Sequence, residues 1–188
     1  MDASVTSTYE DPRAHAVRER YLDIFGGPEL PVPVEAIAED MLGLRIEESW
    51  ELGDCSGVLL PSRRRILLNA AERAHGDVPI RRHRFTVAHE VGHWVCHCLE
   101  GRAAVQPAAL CRKVDLRLDA DRALEREANI FASELLMPEA AVRAVWGELV
   151  AQSHEVDPAA VCAERLDVSP VAMGWRLFNL GLVEERPV

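Results

Sequence analysis

The stretch from Ile80 to Leu99 limits the fold of this chain more than any other segment. Its apolar residues recur at the three- and four-residue spacing of a helix, so they form a single stripe. The members of this stripe are Ile80, Val87, Val91, Trp94, Val95 and Cys98. The preceding Asp77-Val78-Pro79 has the form of an N-cap followed by a proline in the first turn. The pattern therefore predicts a long core helix that other elements must surround.

Three ionisable residues, His89, Glu90 and His93, lie together within this predicted helix. At about 3.6 residues per turn, His89 and His93 lie one above the other, so both imidazoles can reach one ion at roughly 2.0–2.1 Å. Glu90 lies beside them, where it could accept a proton from a zinc-bound water rather than bind the ion. The pattern predicts a metal site with His89 and His93 as ligands and Glu90 as general base.

A third ligand must come from elsewhere in the chain. His97 is roughly 12 Å from His89 along the helix axis, too far to share the ion, and a capping or packing role is expected for it. Cys96 and Cys98 point almost oppositely on a helix, so they cannot close around one metal and are expected to pack in the core.

A second helix, predicted over 120–137, supplies the candidate. Glu127 lies within its apolar stripe, where an ionised carboxylate is expected only if it meets a positive partner such as zinc. We therefore expect Glu127 to be the third ligand. Because helical phase is uncertain by about one residue, Glu125, Glu134 and a position filled by water alone remain alternatives.

The remaining periodicity indicates an α+β chain in which helices dominate. Amphipathic helices are predicted over 12–25 and 34–42, after which the period changes to two. Short apolar runs over 57–60 and 65–69 then complete a small, mostly antiparallel sheet of about three strands. Residues 101–118 lack a clear period and could form a lid or a binding element.

The end of the chain carries two further helix start signals, Asp157-Pro158 and Ser169-Pro170. They predict two short helices with the outline of a helix-turn-helix. We therefore divide the chain into a core over 1–138 and a C-terminal helical extension over 139–188.

The segment from Arg84 to His93 contains the two histidines, and the segment from Glu127 to Pro138 contains Glu-Ala-Asn followed by Leu-Leu-Met-Pro. Together these motifs resemble the ImmA/IrrE family of zinc metallopeptidases. The resemblance implies a minimal zincin-like core in which His89, His93 and Glu127 bind zinc. It also implies a regulatory proteolytic role, because members of this family cleave a repressor protein.

The charge balance bears on the choice of partner. Acidic residues outnumber basic ones by 31 to 21, which gives a net charge of −10 and a surface that repels polyanions. Within the helix-turn-helix outline only Arg165 and Arg176 are basic, fewer cations than phosphate contacts require. Direct nucleic-acid binding is therefore not expected, and the outline is better explained by packing or partner docking.

The location of the protein follows from what the sequence lacks. No segment approaches the roughly 20 apolar residues that a bilayer demands, and residues 1–13 show no secretion signal. The five cysteines are unevenly spaced and suggest no disulfide framework. We therefore expect a protein of the reducing cytoplasm, without a membrane partner and with free thiols.

These features predict a zinc-dependent endopeptidase that cuts a specific protein, with a transcriptional repressor as the expected substrate. One alternative is a metal-stabilised binding module that sequesters its partner without cutting it. A less favoured one is a DNA-binding regulator. Glu90 favours the enzyme, because a purely structural ion gains nothing from a base beside it. The ligand types do not separate zinc from manganese or another divalent ion.

Overall fold

A computed structural model describes residues 11–27, 30–74, 80–99, 110–111, 119–151 and 157–187. Within these ranges the chain is α+β, as the sequence predicts, with helices in the majority. The helices are α1 (Pro12–Phe25), α2 (Val34–Ala36), α3 (Ala70–Ala74), α4 (Ile80–His93), α5 (Asp119–Leu136), α6 (Glu139–Ala151), α7 (Pro158–Arg165) and α8 (Pro170–Asn179). Two of them continue as π-helical turns, α2 over Ile37–Met41 and α4 over Trp94–Cys98.

The strands form one mixed sheet in the order β1-β3-β2-β4. They are β1 (Arg45–Ser49), β2 (Gly57–Leu60), β3 (Arg65–Asn69) and β4 (Leu110–Cys111). β2 pairs antiparallel with β3 and with β4, whereas β1 pairs parallel with β3. The sheet is mostly antiparallel, as the sequence predicts. It also contains β4 and one parallel pair of strands, which the sequence pattern does not predict. A period of two reports which side chains are buried and carries no information about strand direction, and β4 is too short to show a period.

The lid or binding element predicted over 101–118 lies outside the described residues, except for the two residues of β4.

The long helix predicted from the apolar stripe is the centre of the core. Every residue from Thr86 to His97 is buried, including its polar members. α5 packs along α4, and the two helices come very near each other at Gly92. A Cβ atom on Gly92 would lie 3.0 Å from the carbonyl oxygen of Ala128 and 3.1 Å from Cδ1 of Phe131. Such an approach of two helices requires a residue without a side chain.

The C-terminal helices are joined to this core through Arg176 of α8, which is almost completely buried. Its Nε donates to the carbonyl of Met137 at 2.9 Å, and its guanidinium pairs with Glu134 of α5. One cluster of buried apolar side chains contains residues from both sides of position 138. The division into 1–138 and 139–188 stays a prediction.

The thiols only partly follow the prediction from sequence. Cys96, Cys98 and Cys162 take no part in a disulfide, whereas Cys55 is disulfide-bonded. The prediction that all thiols are free is therefore wrong for Cys55. A count of cysteines and their spacings does not report which side chains the fold brings within bonding distance.

Among the described helices, none combines the length and the apolar character that a bilayer crossing requires.

The contact at Gly92 can be tested by adding one methyl group. We expect Gly92→Ala to lower the free energy of unfolding by about 1–3 kcal/mol, because the backbone of Ala128 cannot move away cheaply. Urea denaturation measures the change. Gly147→Ala is the matched control: a Cβ at Gly147 of α6 meets nothing within 4 Å, so we expect a gain of about 0.5–1 kcal/mol. Equal stability of the two variants would contradict the described contact.

Candidate metal centre

The two predicted histidines meet a carboxylate from α5 in the buried space between the helices. Nε2 of His89 and Nε2 of His93 lie 3.0 Å apart. Oε2 of Glu125 lies 3.2 Å from Nε2 of His89, and Oε1 lies 3.1 Å from Nε2 of His93. The two imidazoles are completely buried or nearly so, and the Glu125 side chain is 15% exposed. The three residues therefore converge on one point at the edge of the core.

The spacing of these atoms fits a metal ion. Four ligands at roughly 2.0–2.1 Å in a tetrahedron stand about 3.3–3.4 Å apart, close to the three distances between donor atoms given above. Nitrogen and carboxylate donors in a set of two histidines and one glutamate are also chemically suited to zinc. His89, His93 and Glu125 could together hold one ion.

The ionisation of the cluster agrees with a ligand role. Burial opposes ionisation of Glu125, but hydrogen bonds from His89 and His93 outweigh it and hold the pKa of Glu125 well below its usual range. Burial lowers the pKa of His93, although the hydrogen bond to Glu125 works in the opposite direction. At neutral pH the site therefore presents a carboxylate and a neutral imidazole, the forms in which these groups bind metals.

Glu127, the ligand expected from the sequence, does not join this cluster. The structure places Glu125 there instead. The side chain of Glu127 is 39% exposed, with its Oε2 3.3 Å from Nε2 of His97 and 3.8 Å from the guanidinium of Arg13. Residues two apart on a helix differ by about 200° around its axis, so the rotation of α5 decides which of the two carboxylates faces the histidine pair. The apolar stripe alone did not define that rotation closely enough.

The third carboxylate considered from the sequence has a different partner. Glu134 pairs with Arg176, and its backbone carbonyl accepts a hydrogen bond from Arg18 at 3.0 Å. Burial raises the pKa of Glu134, while the charges of Arg176 and Arg18 counteract the rise. Glu134 therefore serves the packing of α1 and α8 against α5 rather than the metal site.

Glu90, the predicted base, has no exposed surface. It lies against the first residue of β2, since a Cβ atom on Gly57 would stand 3.3 Å from Oε1 of Glu90 and would also collide with the side chain of Thr86. Gly57 was not identified from the sequence. A glycine at the start of an apolar strand is the available signal, because it often marks a close approach of another group to the backbone.

Comparison with known proteins agrees with this geometry. A peptidase family model, the IrrE N-terminal-like domain, matches residues 42–178. The chain belongs to this peptidase family. The resemblance predicted from the two motifs is thereby confirmed. The matched range contains the two histidines, Glu90 and all three carboxylates considered as ligands.

A solved structure of a Mycobacterium tuberculosis transcriptional regulator shares the fold with a TM-score of 0.60 at 15% sequence identity. The match covers 97% of this chain and 51% of the regulator. The present chain thus spans about half the length of that protein, and at this identity the likeness concerns the fold alone. A search of curated protein sequences found no match.

Removal of each carboxylate separates the two candidate ligands. We expect Glu125→Ala to weaken zinc binding by more than about 100-fold. Loss of a residue that only hydrogen-bonds to a ligand typically lowers metal affinity by roughly 10–100-fold. Glu127→Ala should stay within that range. Competition with a chromophoric chelator measures both affinities, and Glu148→Ala, which removes an exposed carboxylate from α6, should leave them unchanged. A larger loss for Glu127→Ala than for Glu125→Ala would reverse the assignment.

Proposed function

We propose that this chain is a zinc-dependent endopeptidase that hydrolyses a peptide bond in a specific protein, with a transcriptional repressor as its substrate in the cytoplasm. The triangle of donor atoms from His89, His93 and Glu125 carries the proposal. Membership of a peptidase family supports the reaction class. The description of the structural neighbour as a transcriptional regulator supports a connection with gene regulation.

The proposed chemistry assigns separate tasks to the ion and to the chain. A divalent ion held by the three ligands would polarise a carbonyl and lower the pKa of water to about 7. Glu90 accepts the proton of the attacking water and delivers it to the departing amine. Its position directly after His89 places it next to the ligands, and its complete burial keeps bulk water from competing for the proton. Such general acid-base catalysis typically contributes about 10²–10⁴-fold.

A cleft beside the metal centre could receive the substrate. It has a volume of about 850 Å³, and one of the proposed ligands, Glu125, forms part of its wall. Phe85 and Ile130 supply apolar surface to the cleft. Trp175 of α8 also lines it and is 43% exposed. A cleft of this size can accept several side chains of an extended segment, which supports a polypeptide substrate.

The two alternative functions have less support. A binding module that only sequesters its partner would have no use for a buried carboxylate beside the ligands, which Glu90 provides. A DNA-binding regulator would need cations on α7 and α8. Arg176 is buried against Glu134, and Arg165 pairs with Glu148 at 2.8 Å, so both basic side chains of the helix-turn-helix outline already have acidic partners.

The role of Glu90 is tested by Glu90→Gln. We expect this variant to bind zinc and to fold as the wild type does, but to cleave a candidate repressor at least about 100-fold more slowly, because the amide cannot accept the proton. Gel electrophoresis of the repressor, with and without a chelator, measures cleavage, and Glu148→Gln is the control. Cleavage by Glu90→Gln at the wild-type rate would remove Glu90 from the mechanism. A zinc-loaded wild type that binds the repressor and leaves it intact would favour sequestration.

The cleft is tested by Trp175→Ala. We expect KM to rise by about tenfold, because burial of a large side chain contributes about 1.5–3 kcal/mol to binding. The value of kcat should change little, since Trp175 is neither a proposed ligand nor the proposed base. Trp50→Ala is the matched control: Trp50 is also exposed and does not line the cleft. The same KM for both variants would place the substrate elsewhere.

A further inference from the structure

His93 has a second buried contact, on the side of its ring away from Glu125. Nδ1 of His93 lies 3.3 Å from Nδ1 of His97, and the two rings are 5.3 Å apart with a tilt of 49°. His97 is 1% exposed. The packing histidine expected from the sequence therefore contacts one of the proposed ligands directly.

The positions of the protons follow from the partners. Nε2 of His97 lies 3.3 Å from a carboxylate oxygen of Glu127, and a carboxylate can only accept, so Nε2 of His97 carries the proton. A neutral imidazole has a single N–H, which leaves Nδ1 of His97 as an acceptor. Nδ1 of His93 must then be the donor in the contact between the two rings. When an ion occupies the site, Nε2 of His93, which faces His89 and Glu125, then keeps its lone pair for the ion and no longer donates to Glu125.

Glu127 is itself held in place from α1. The guanidinium of Arg13 lies 3.8 Å from Oε2 of Glu127. Arg13 is in turn fixed by Asp11, a buried carboxylate that accepts from Nε at 2.9 Å and from the terminal nitrogen at 2.8 Å. The chain of contacts thus runs from a helix N-cap to the proposed metal ligand.

His89 lacks a comparable contact within the described part of the chain. Its Nδ1 atom is buried and has no hydrogen-bond partner there. The support is therefore asymmetric: of the two imidazoles, only that of His93 has a described hydrogen-bond partner at Nδ1.

We propose that His97 and Glu127 are positioning residues that hold His93 in its Nδ1-protonated form and thereby direct its Nε2 lone pair to the metal site. This inference rests on the proposed metal centre. In this role Glu127 does not bind the ion itself. It contacts His97, which in turn contacts the proposed ligand His93. Groups that hold a ligand in this way commonly change metal affinity by about 10–100-fold.

The first measurement is nitrogen-15 NMR of labelled histidine in the zinc-loaded protein, so it does not depend on catalysis. The method distinguishes protonated from unprotonated ring nitrogens. We expect His97 to be protonated at Nε2 and unprotonated at Nδ1, and the Nδ1 proton of His93 to be protected from exchange with water. In His97→Phe, which keeps a ring but removes the acceptor, we expect that proton of His93 to exchange faster. A wild-type His97 protonated at Nδ1, or unchanged exchange of the His93 proton in His97→Phe, would overturn the proposal.

The second measurement is zinc affinity by chelator competition. We expect a loss of about 10–100-fold for His97→Phe. His97→Asn should recover most of this loss, because its amide oxygen can accept from Nδ1 of His93. Glu127→Ala removes a partly exposed side chain, and with it the acceptor for the proton on Nε2 of His97, so it tests the same chain of contacts, and we expect about a tenfold loss. Combined with His97→Phe it should add little, since both changes break one chain of contacts. His15→Phe, at an exposed site on α1, is the control.

The outcomes separate this inference from the proposed function. Wild-type zinc affinity in both His97→Phe and Glu127→Ala would overturn the positioning role even if the protein cleaves its substrate. Weakened zinc binding in these variants, together with a zinc-loaded wild type that cleaves no protein, would support the positioning role and contradict the peptidase. An additive loss of zinc affinity in the double variant would show that the two residues act separately, and it would contradict a single chain of contacts through His97 to His93.

Discussion

The close approach of α5 to α4 at Gly92 is the contact on which the rest of the site depends. Two helix backbones come this near only where one of them carries no side chain, and here Gly92 meets Ala128 and Phe131. The same contact restricts the rotation of α5 about its axis. That rotation places Glu125 opposite His89 and His93, so a packing constraint between two backbones determines the composition of the proposed metal centre.

The burial of α4 creates a problem that the proposed site resolves. His89, Glu90, His93 and His97 all lie in a stretch without exposed residues, and unsatisfied polar groups in such a place destabilise the fold. Glu125 and Glu127 approach this stretch from α5, one at each end of the row of imidazoles. The helix can therefore be a core element and also carry reactive groups, because its neighbour supplies acidic partners for the histidines.

The C-terminal helices contribute to the site through one buried cation. Arg176 pairs with Glu134 and donates to the carbonyl of Met137, and these contacts fix α8 beside the end of α5. Trp175, the preceding residue, then borders the cleft that adjoins Glu125. The second helix of a pair with the outline of a DNA-binding motif thus forms a wall of the proposed substrate cleft, and one of the two basic side chains of this pair is used for packing.

The sequence by itself determined the fold class, the long core helix and the pair of histidines one turn apart with Glu90 beside them, because the geometry of a helix converts local spacing into direction without knowledge of the partner. The resemblance of its two motifs also identified the peptidase family. Only the tertiary structure decided that Glu125 rather than Glu127 faces the histidines, that β1 runs parallel to β3, and that His97 contacts His93. Each of these depends on how one element is rotated or aligned against another, and that alignment is set by close contacts, such as the one at Gly92, between residues far apart in the chain.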